Sequence, residues 1–446
     1  MTPMSDSPRE TQVSAPPGPG ARPGFRRVLA GSMAGAVLEW YDFAIYGILA
    51  ATVLGPLFFP GDDPVAKLLL ALATQGLGFV ARPLGGIVFG HLGDRYGRKP
   101  ILVATFLLLG ASTAAVGLLP TYDQIGLWAT GLLVVLRIVQ GFALGGEFGA
   151  AVLLVSEFGE PRRRGFWASF PQAGAPLGTI LATLVVSVLA IAMPKESLDG
   201  GGWRVAFLLA IPLLVVGFLV RRGVEESPVF REAQASARAQ GGSGGSSLRL
   251  ALRMPSSVLR GLGMRLGENV AFYVYTIFVL AYATTFVGFS RRTVVTAVAF
   301  GSACQLVGMI SGGAWSDRVG RRTAMLVPAV GLVIWAPLFV HLVDQRSTPL
   351  LYLGICMGAF LHGTLAGPEA AWIAELFPTR CRFAGASLVF QGSSIIAGAP
   401  APLIAIYLVQ HSGPSAVVVY LAATMLVTII AVAMSRETRG IDLADV

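Results

Sequence analysis

Residues 90–99 read GHLGDRYGRK, and residues 313–322 read GAWSDRVGRR. Each stretch lies between two long apolar runs and packs an acid, glycines and three bases into ten residues. Gly90, Asp94, Arg95, Gly97, Arg98 and Lys99 align with Gly313, Asp317, Arg318, Gly320, Arg321 and Arg322, half a chain length away. A second echo aligns Glu157, Arg162, Arg164 and Ser169 with Glu375, Arg380, Arg382 and Ser387. The chain reads as one half-chain unit written twice, the signature of an internally repeated architecture.

Composition sets the solvent. Apolar residues make up 54% of the chain and charged residues 13%, with a mean hydropathy of +0.70. A soluble domain carries about 25% charged residues, so the chain reads as a multi-span membrane protein embedded in a lipid bilayer. The net charge of +9 does not point to nucleic acid, because the bases fall in short loops between apolar runs, where they set topology. Cys304, Cys356 and Cys381 lie in or beside those runs. Their odd number and the absence of C-x-x-C argue against a disulfide framework or a metal site. The first residues, 1–25, read as a polar, Pro-rich disordered tail with no cleavable signal.

A hydrocarbon core of roughly 30 Å needs about 20 apolar residues per helix. Runs of that length fall near 31–57, 68–92, 100–119, 126–153, 166–192 and 203–221. Six more fall near 259–287, 294–315, 324–343, 349–374, 383–408 and 414–434. The expected fold is all-α, with twelve transmembrane helices in two six-helix lobes around a central cavity. The lobes are expected at 26–222 and 259–434, joined by a linker at 223–258 and followed by a tail at 435–446. GGSGGSS at 241–247 has flexible-linker composition, and EESPVF at 225–230 reads as a short capped helix on the membrane surface. Most Lys and Arg lie on the side of the N-terminus. The opposite loops hold only Lys67, Lys195, Arg204, Arg291, Arg292 and Arg346. The positive-inside rule therefore places both termini, and both repeated loops, in the cytoplasm.

The charges inside the spans carry the functional signal. Glu39 and Asp42 fall on span 1, Arg137 and Glu147 on span 4, Arg265 and Glu268 beside Asn269 on span 7, and His362 and Glu369 on span 10. Arg82 on span 2 is the exception and reads as a residue snorkelling to the inner face. A charge at mid-bilayer costs about 2.5–3.5 kcal/mol on insertion scales, so such residues face a cavity or a partner. Their recurrence on one helix in three predicts a shared aqueous cavity. Glu39 and Asp42, spaced i, i+3, share a helix face and are candidates for a proton-coupling site; the alternative is a static network tying span 1 to span 4. Arg137 and Arg265 can hold a substrate carboxylate bidentately or else neutralise Glu147 and Glu268. His362 reads as a hydrogen-bonding residue of the cavity wall.

The repeated loops read as a cytoplasmic gate. Gly90, Gly97 and their copies let helices approach and turn. Asp94 suits the positive N-terminal end of a neighbouring helix, and the arginines can pair with Glu157 or Glu375. Contacts of this kind latch one face in one conformation and break in the other. FPQAGAPLG at 170–178 and FQGSSIIAGAPAP at 390–402 predict closely packed, bent helices.

These residues resemble the major facilitator superfamily. GAVLEWYDFAIYG at 35–47, ARPLGGIVFGHLGDRYGRK at 81–99 and RIVQGFALGGEFGAA at 137–151 are similar to its metabolite:proton symporter family, as are RRGFWASFPQAGAPLG at 163–178, WRVAFLLAIP at 203–212, VEESPVF at 224–230 and AELFPTRCRFAGAS at 374–387. That family includes carriers of α-ketoglutarate, citrate, shikimate and proline/betaine. The resemblance implies alternating access driven by a proton gradient, a proton or substrate contact at Arg137 within the Arg137–Gln140–Gly141 motif, and control of exchange by Asp94 and Arg98. Two departures narrow the expectation. The short tail ending GIDLADV lacks the heptad extension of osmosensing relatives, and AGAPLG at 173–178 matches the Gly-rich pattern of drug antiporters poorly, which favours uptake.

The expected function is symport of protons with a small organic acid, such as shikimate or a di- or tricarboxylate, across a bacterial inner membrane. The alternatives are an exporter, a uniporter or a carrier of a zwitterionic solute. The expected substrate and coupling residues are Glu39, Asp42, Arg137, Gln140, Glu147, Arg265, Glu268, Asn269 and His362. The expected gate is Gly90, Asp94, Arg95, Gly97, Arg98, Asp317, Arg318, Arg321, Glu157 and Glu375. The chain carries no metal-ligand spacing, no phosphate loop and no nucleophile–base cluster of a membrane transferase. No cofactor, enzyme activity or nucleic-acid partner is expected, and the protein is expected to act as a monomer.

Overall fold

The computed structural model describes residues 24–96, 98–146, 155, 160–223, 247–378 and 381–441. Twelve helices among the described residues are long and apolar enough to cross a bilayer, and no strand occurs among them. They are α1 (Phe25–Leu49), α2 (Pro64–Tyr96), α3 (Arg98–Leu118), α4 (Leu127–Gly145), α5 (Arg164–Ala192) and α6 (Leu198–Arg222). The second six are α7 (Pro255–Val287), α8 (Arg291–Val319), α9 (Arg321–Asp344), α10 (Thr348–Glu375), α11 (Ala384–Ser412) and α12 (Pro414–Ala433). An even number of crossings puts Phe25 and Ile441 on one face, here the terminal face; the opposite one is the distal face. Of the expected linker, 224–246 lies outside the described residues, including the segment at 225–230; Ser247–Leu252 forms a short helix before α7.

The internal repeat is visible in how helices cross. In the first half α2 and α4 touch backbone to backbone. A Cβ on Gly141 would fall 1.9 Å from the Gly78 carbonyl oxygen, and one on Gly85 would fall 1.8 Å from that of Phe142. The second half repeats the crossing between α8 and α10, where a Cβ on Gly363 would fall 2.2 Å from the Gln305 carbonyl oxygen. In lipid, where no hydrophobic force draws helices together, small residues of this kind allow the dispersion contacts that do. The halves meet along α5 with α8 and α10, and along α2 with α11.

Several helices loosen into π turns: Ala50–Leu54 after α1, Val274–Phe278 and Tyr282–Val287 within α7, and Ser394–Gly398 within α11. Such turns leave backbone groups unpaired and recur at functional sites. A partly open cavity lies between the halves beside the first α7 turn. Phe43, Ala44, Gly47 and Ile48 of α1, Thr179 and Thr183 of α5, Phe272, Thr276, Ile277 and Leu280 of α7, and Val295 and Val298 of α8 line it.

Candidate transport site and gate

Asp42 is buried on α1 and saturated with donors. Arg137 Nη1 of α4 lies 2.9 Å from Asp42 Oδ2, while Thr113 Oγ1 of α3 and Gln140 Nε2 of α4 each donate to Oδ1 at 2.9 Å. The Arg137 guanidinium stacks 3.9 Å from the centre of the Tyr46 ring, whose hydroxyl donates to the Ala71 carbonyl. Two donors of Arg137, Nε and Nη2, are buried with no partner, and so is Gln140 Oε1. Asp42 and Arg137 thus tie α1 to α3 and α4 and still leave the guanidinium two open N–H directions. Glu147, the other partner considered for Arg137, lies outside the described residues.

Glu39 shares the buried face of α1 but serves another helix. Arg82 Nη2 approaches its Oε1 at 3.3 Å, and the same guanidinium lies 4.4 Å from the centre of the Phe79 ring. The snorkelling expected of Arg82 is therefore corrected: it is turned inward, because a buried carboxylate one helix away offers it a better partner than the interface.

In the second half the charges gather around Arg265. Its Nη1 lies 2.5 Å from Glu369 of α10, its Nη2 lies 3.4 Å from Glu268 one turn on, and its Nε donates to Ser393 of α11 at 3.0 Å. His362 Nε2 sits 3.1 Å from Glu268, and its Nδ1 sits 2.7 Å from Gln305 Nε2 of α8. His362 is hydrogen-bonded at both ring nitrogens but is not among the residues that line the cavity. Asn269 only returns its amide to the Arg265 carbonyl within α7.

The terminal face is closed by a network that crosses between the halves. Both oxygens of Asp317, on α8, accept backbone N–H groups of Gly165 and Phe166 at the start of α5, at 2.9 Å each. A carboxylate there meets unpaired donors and the positive end of the helix dipole. Arg321 reaches Asp317 at 2.7 Å and Glu375 at 3.3 Å, and Arg164 of α5 reaches the same Glu375 at 3.1 Å. Gly313 packs directly on Gly165: a Cβ there would fall 2.6 Å from the Gly165 carbonyl oxygen. The chain beyond α12 joins in. Glu437 accepts the backbone N–H of Arg321 at 2.9 Å and of Arg322 at 3.0 Å, Thr438 bonds Glu375, and the Ile441 carbonyl accepts from Arg164 at 3.2 Å. Burial works to raise the Glu437 carboxyl, but the backbone N–H groups of Arg321, Arg322, Arg439 and Thr438 outweigh it and hold it below the usual carboxylate range.

Of the expected gate residues, Asp317, Arg321 and Glu375 are brought together, while Arg318 is exposed. Gly97 and Glu157 lie outside the described residues, as do the side chains of Asp94, Arg95 and Arg98; the backbone of Gly90 continues α2. Thr113, Gln305, Ser393 and Arg164 were not among the expected residues. A threonine or glutamine within an apolar run carries no charge to mark it, and Arg164 stood out only as a member of the second echo, with no partner indicated. On the distal face, the Arg291 guanidinium at the start of α8 donates across the halves to the Ile48 carbonyl.

Comparison with known proteins agrees with this architecture. Residues 28–241 match the family described as sugar (and other) transporter, and residues 262–442 match the major facilitator superfamily. The chain is 36% identical over 423 residues to the inner membrane metabolite transport protein YhjE of Escherichia coli, covering 93% of this chain and 94% of that protein. It is 35% identical over 427 residues to the shikimate transporter of the same organism, with 93% and 95% covered. It is 33% identical over 400 residues to the E. coli proline/betaine transporter, with 87% and 78% covered. Its fold matches the proton:xylose symporter XylE bound to 6-bromo-6-deoxy-D-glucose with a TM-score of 0.75 at 18% identity, over 95% of this chain and 98% of that one. Twelve apolar helices, a doubled loop motif and relatives along nearly the whole length lead to one conclusion: the chain is a multi-pass membrane transporter of the major facilitator superfamily.

Proposed function

We propose that this protein is a proton-coupled symporter that takes up a small organic acid by alternating access. The reading rests chiefly on the buried Asp42–Arg137 pair, in which one guanidinium holds a carboxylate at 2.9 Å and keeps two N–H donors unused. An organic anion landing on those donors puts two negative charges against one positive charge in a low-dielectric site. Such a crowd is relieved when one carboxylate takes a proton. Anion binding and proton binding at Asp42 then favour each other, which is the linkage symport requires. The described intramembrane charges support the same reading. Arg82, Arg137 and Arg265 face Glu39, Asp42, Glu268 and Glu369, so no spare cation is available to hold an anion alone.

The cavity suits a small molecule with an apolar body, since aromatic and aliphatic side chains with three threonine hydroxyls line it. Shikimate, a di- or tricarboxylate, and the zwitterions proline and betaine are the first substrates to try. Asp317, Arg321, Glu375 and Arg164 are the latch of one conformation, and Asp94, Arg95 and Arg98 its counterpart in the first half. With both chain ends in the cytoplasm of a bacterial cell, the latched face is the inner one and the substrate enters from outside.

Proteoliposomes decide the matter. Counterflow of a panel of these acids and zwitterions should select one class, and an inward-directed proton gradient should drive its accumulation with alkalinisation of the medium. Uptake of any panel member indifferent to the gradient would refute symport, and selection of a neutral sugar or a zwitterion would refute the organic acid.

A further inference from the structure

Asp42 and Glu369 are both buried carboxylates beside an arginine, yet their surroundings differ. Asp42 accepts from three side chains on two helices, so both of its oxygens are engaged. Glu369 is fully buried on α10, and only its Oε2 is engaged, by Arg265; its Oε1 meets no donor at all. A bare carboxylate oxygen in a closed apolar setting is costly, and a proton on that oxygen removes the charge that makes it so.

The charge count around Glu369 points the same way. The titratable groups facing it are Arg265 and Glu268 of α7 and His362 of its own helix; Gln305 of α8 and Ser393 of α11 close the cluster without charge. Tyr273 of α7 lies farther along, within Coulombic reach of Arg265 and Glu268 and of Arg82 and Glu39 beyond it. The Gln305 amide lies 2.7 Å from His362 Nδ1, and His362 Nε2 lies 3.1 Å from Glu268 Oε1. One guanidinium therefore stands against two carboxylates. Glu268 Oε1 meets His362, and its Oε2, though it accepts no hydrogen bond, lies 3.4 Å from Arg265; Glu369 Oε1 meets neither, so the proton falls to Glu369.

We propose that Glu369 is a proton-binding site of the second half, occupied while the terminal face is latched and separate from the Asp42 site. Gln305 and His362 are positioning residues that keep Glu268 ionised and leave Arg265 one acid to neutralise. Phe272 lies between this cluster and the cavity: its ring is 5.7 Å from that of His362 and also lines the cavity wall. Toward the other side Glu369 is six residues, about 9 Å along the helix, from the latch acid Glu375. Opening the latch brings water to Glu369 from the terminal face, and the proton leaves there. The proposal rests on the transport reading for its role in the cycle, but the occupancy of Glu369 does not.

The test needs no substrate. Infrared spectra of the purified protein in lipid, recorded in H2O and D2O at neutral pH, should show the C=O stretch of a protonated carboxylic acid. That band should be lost in Glu369→Gln and kept in Glu39→Gln and Asp42→Asn. The melting temperature of the wild type should fall as pH rises and Glu369 ionises against Glu268, and Glu369→Gln should lose this slope. A spectrum without the band, or a band that survives Glu369→Gln, overturns the proposal. If Glu369→Gln does not fold, Glu369→Asp must shift the band in frequency, and an unshifted band overturns it equally. A band assigned to Glu369 in a protein that shows no proton-driven uptake would leave this site standing and remove the symport reading instead.

Discussion

Asp42 shows what one carboxylate can be asked to do. Removing one member of a buried ion pair costs about 3–5 kcal/mol, because the other charge is left uncompensated. Asp42→Asn should therefore lower the melting temperature, abolish accumulation driven by a proton gradient, and spare exchange of substrate between equal pools. Accumulation that survives in this variant would remove Asp42 from the coupling step. Thr113→Val is the milder change. It deletes one 2.9 Å donor to Asp42 without touching a charge, and a hydrogen bond to a charged group contributes about 1.5–3 kcal/mol. Its loss should lower the melting temperature less than Asp42→Asn does and leave proton-driven accumulation in place; accumulation lost as fully as in Asp42→Asn would mean that Thr113 does more than brace the carboxylate. The two residues also mark how far sequence alone reaches. Asp42 and Arg137 were legible because hydrocarbon rejects charge, so a charge inside an apolar run announces itself. Thr113 was not, since a threonine hydroxyl can be satisfied by its own helix; here the Leu109 carbonyl, also at 2.9 Å, competes with Asp42 for the single hydroxyl proton. Arg82 was misread because depth in a helix does not say which way a long side chain turns.

At the scale of the helix, length and apolarity placed all twelve spans, and every one of them recurs in the structure with shifted ends. Ends shift because polar residues continue helices past the hydrocarbon: α2 runs through the first charged loop to Tyr96, and α8 through the second to Val319. Which helices touch was less legible, since glycines are abundant, 55 in the chain, and the sequence does not say which of them lie at crossings. Two glycines on α4 separate these cases. A Cβ on Gly141 would fall 1.9 Å from the Gly78 carbonyl oxygen, and one on Gly131 meets nothing within 4 Å. Gly131→Ala should be neutral or slightly stabilising through helix propensity. Gly141→Ala must push α2 and α4 apart along backbone that cannot yield, at or above the roughly 1–3 kcal/mol typical of overpacking. Thermal unfolding in detergent should separate them by several degrees, and equal melting temperatures would mean that the α2–α4 crossing is looser than described.

Across the whole molecule, the terminal face is held by polar groups as well as by close packing of Gly313 on Gly165, and the polar contacts can exchange with water. Asp317 contributes two backbone hydrogen bonds from the other half, and Arg321 and Arg164 share Glu375 between the halves. Asp317→Asn keeps the shape but supplies a single acceptor oxygen and no charge for Arg321, so the latch should open more often. Cysteines placed one at a time on the terminal-face ends of α5 and α8 should then label several-fold faster, with substrate affinity little changed; a large loss of affinity would contradict a latch. Glu437 adds a pH dependence of defined sign. Its carboxyl is held below the usual range by backbone N–H groups, so the ionised form is the one that binds the start of α9. Its contribution is complete above the ordinary carboxylate value of about 4.3 and is lost as the pH falls through its lowered folded value. Labelling of the terminal face should therefore be flat from neutral to mildly acid pH and rise only at still lower pH. Glu437→Gln should show the raised labelling already at neutral pH, because an amide offers one acceptor where the carboxylate offers two. A wild-type protein whose labelling rises steeply between neutral and mildly acid pH would place the titrating group elsewhere than Glu437.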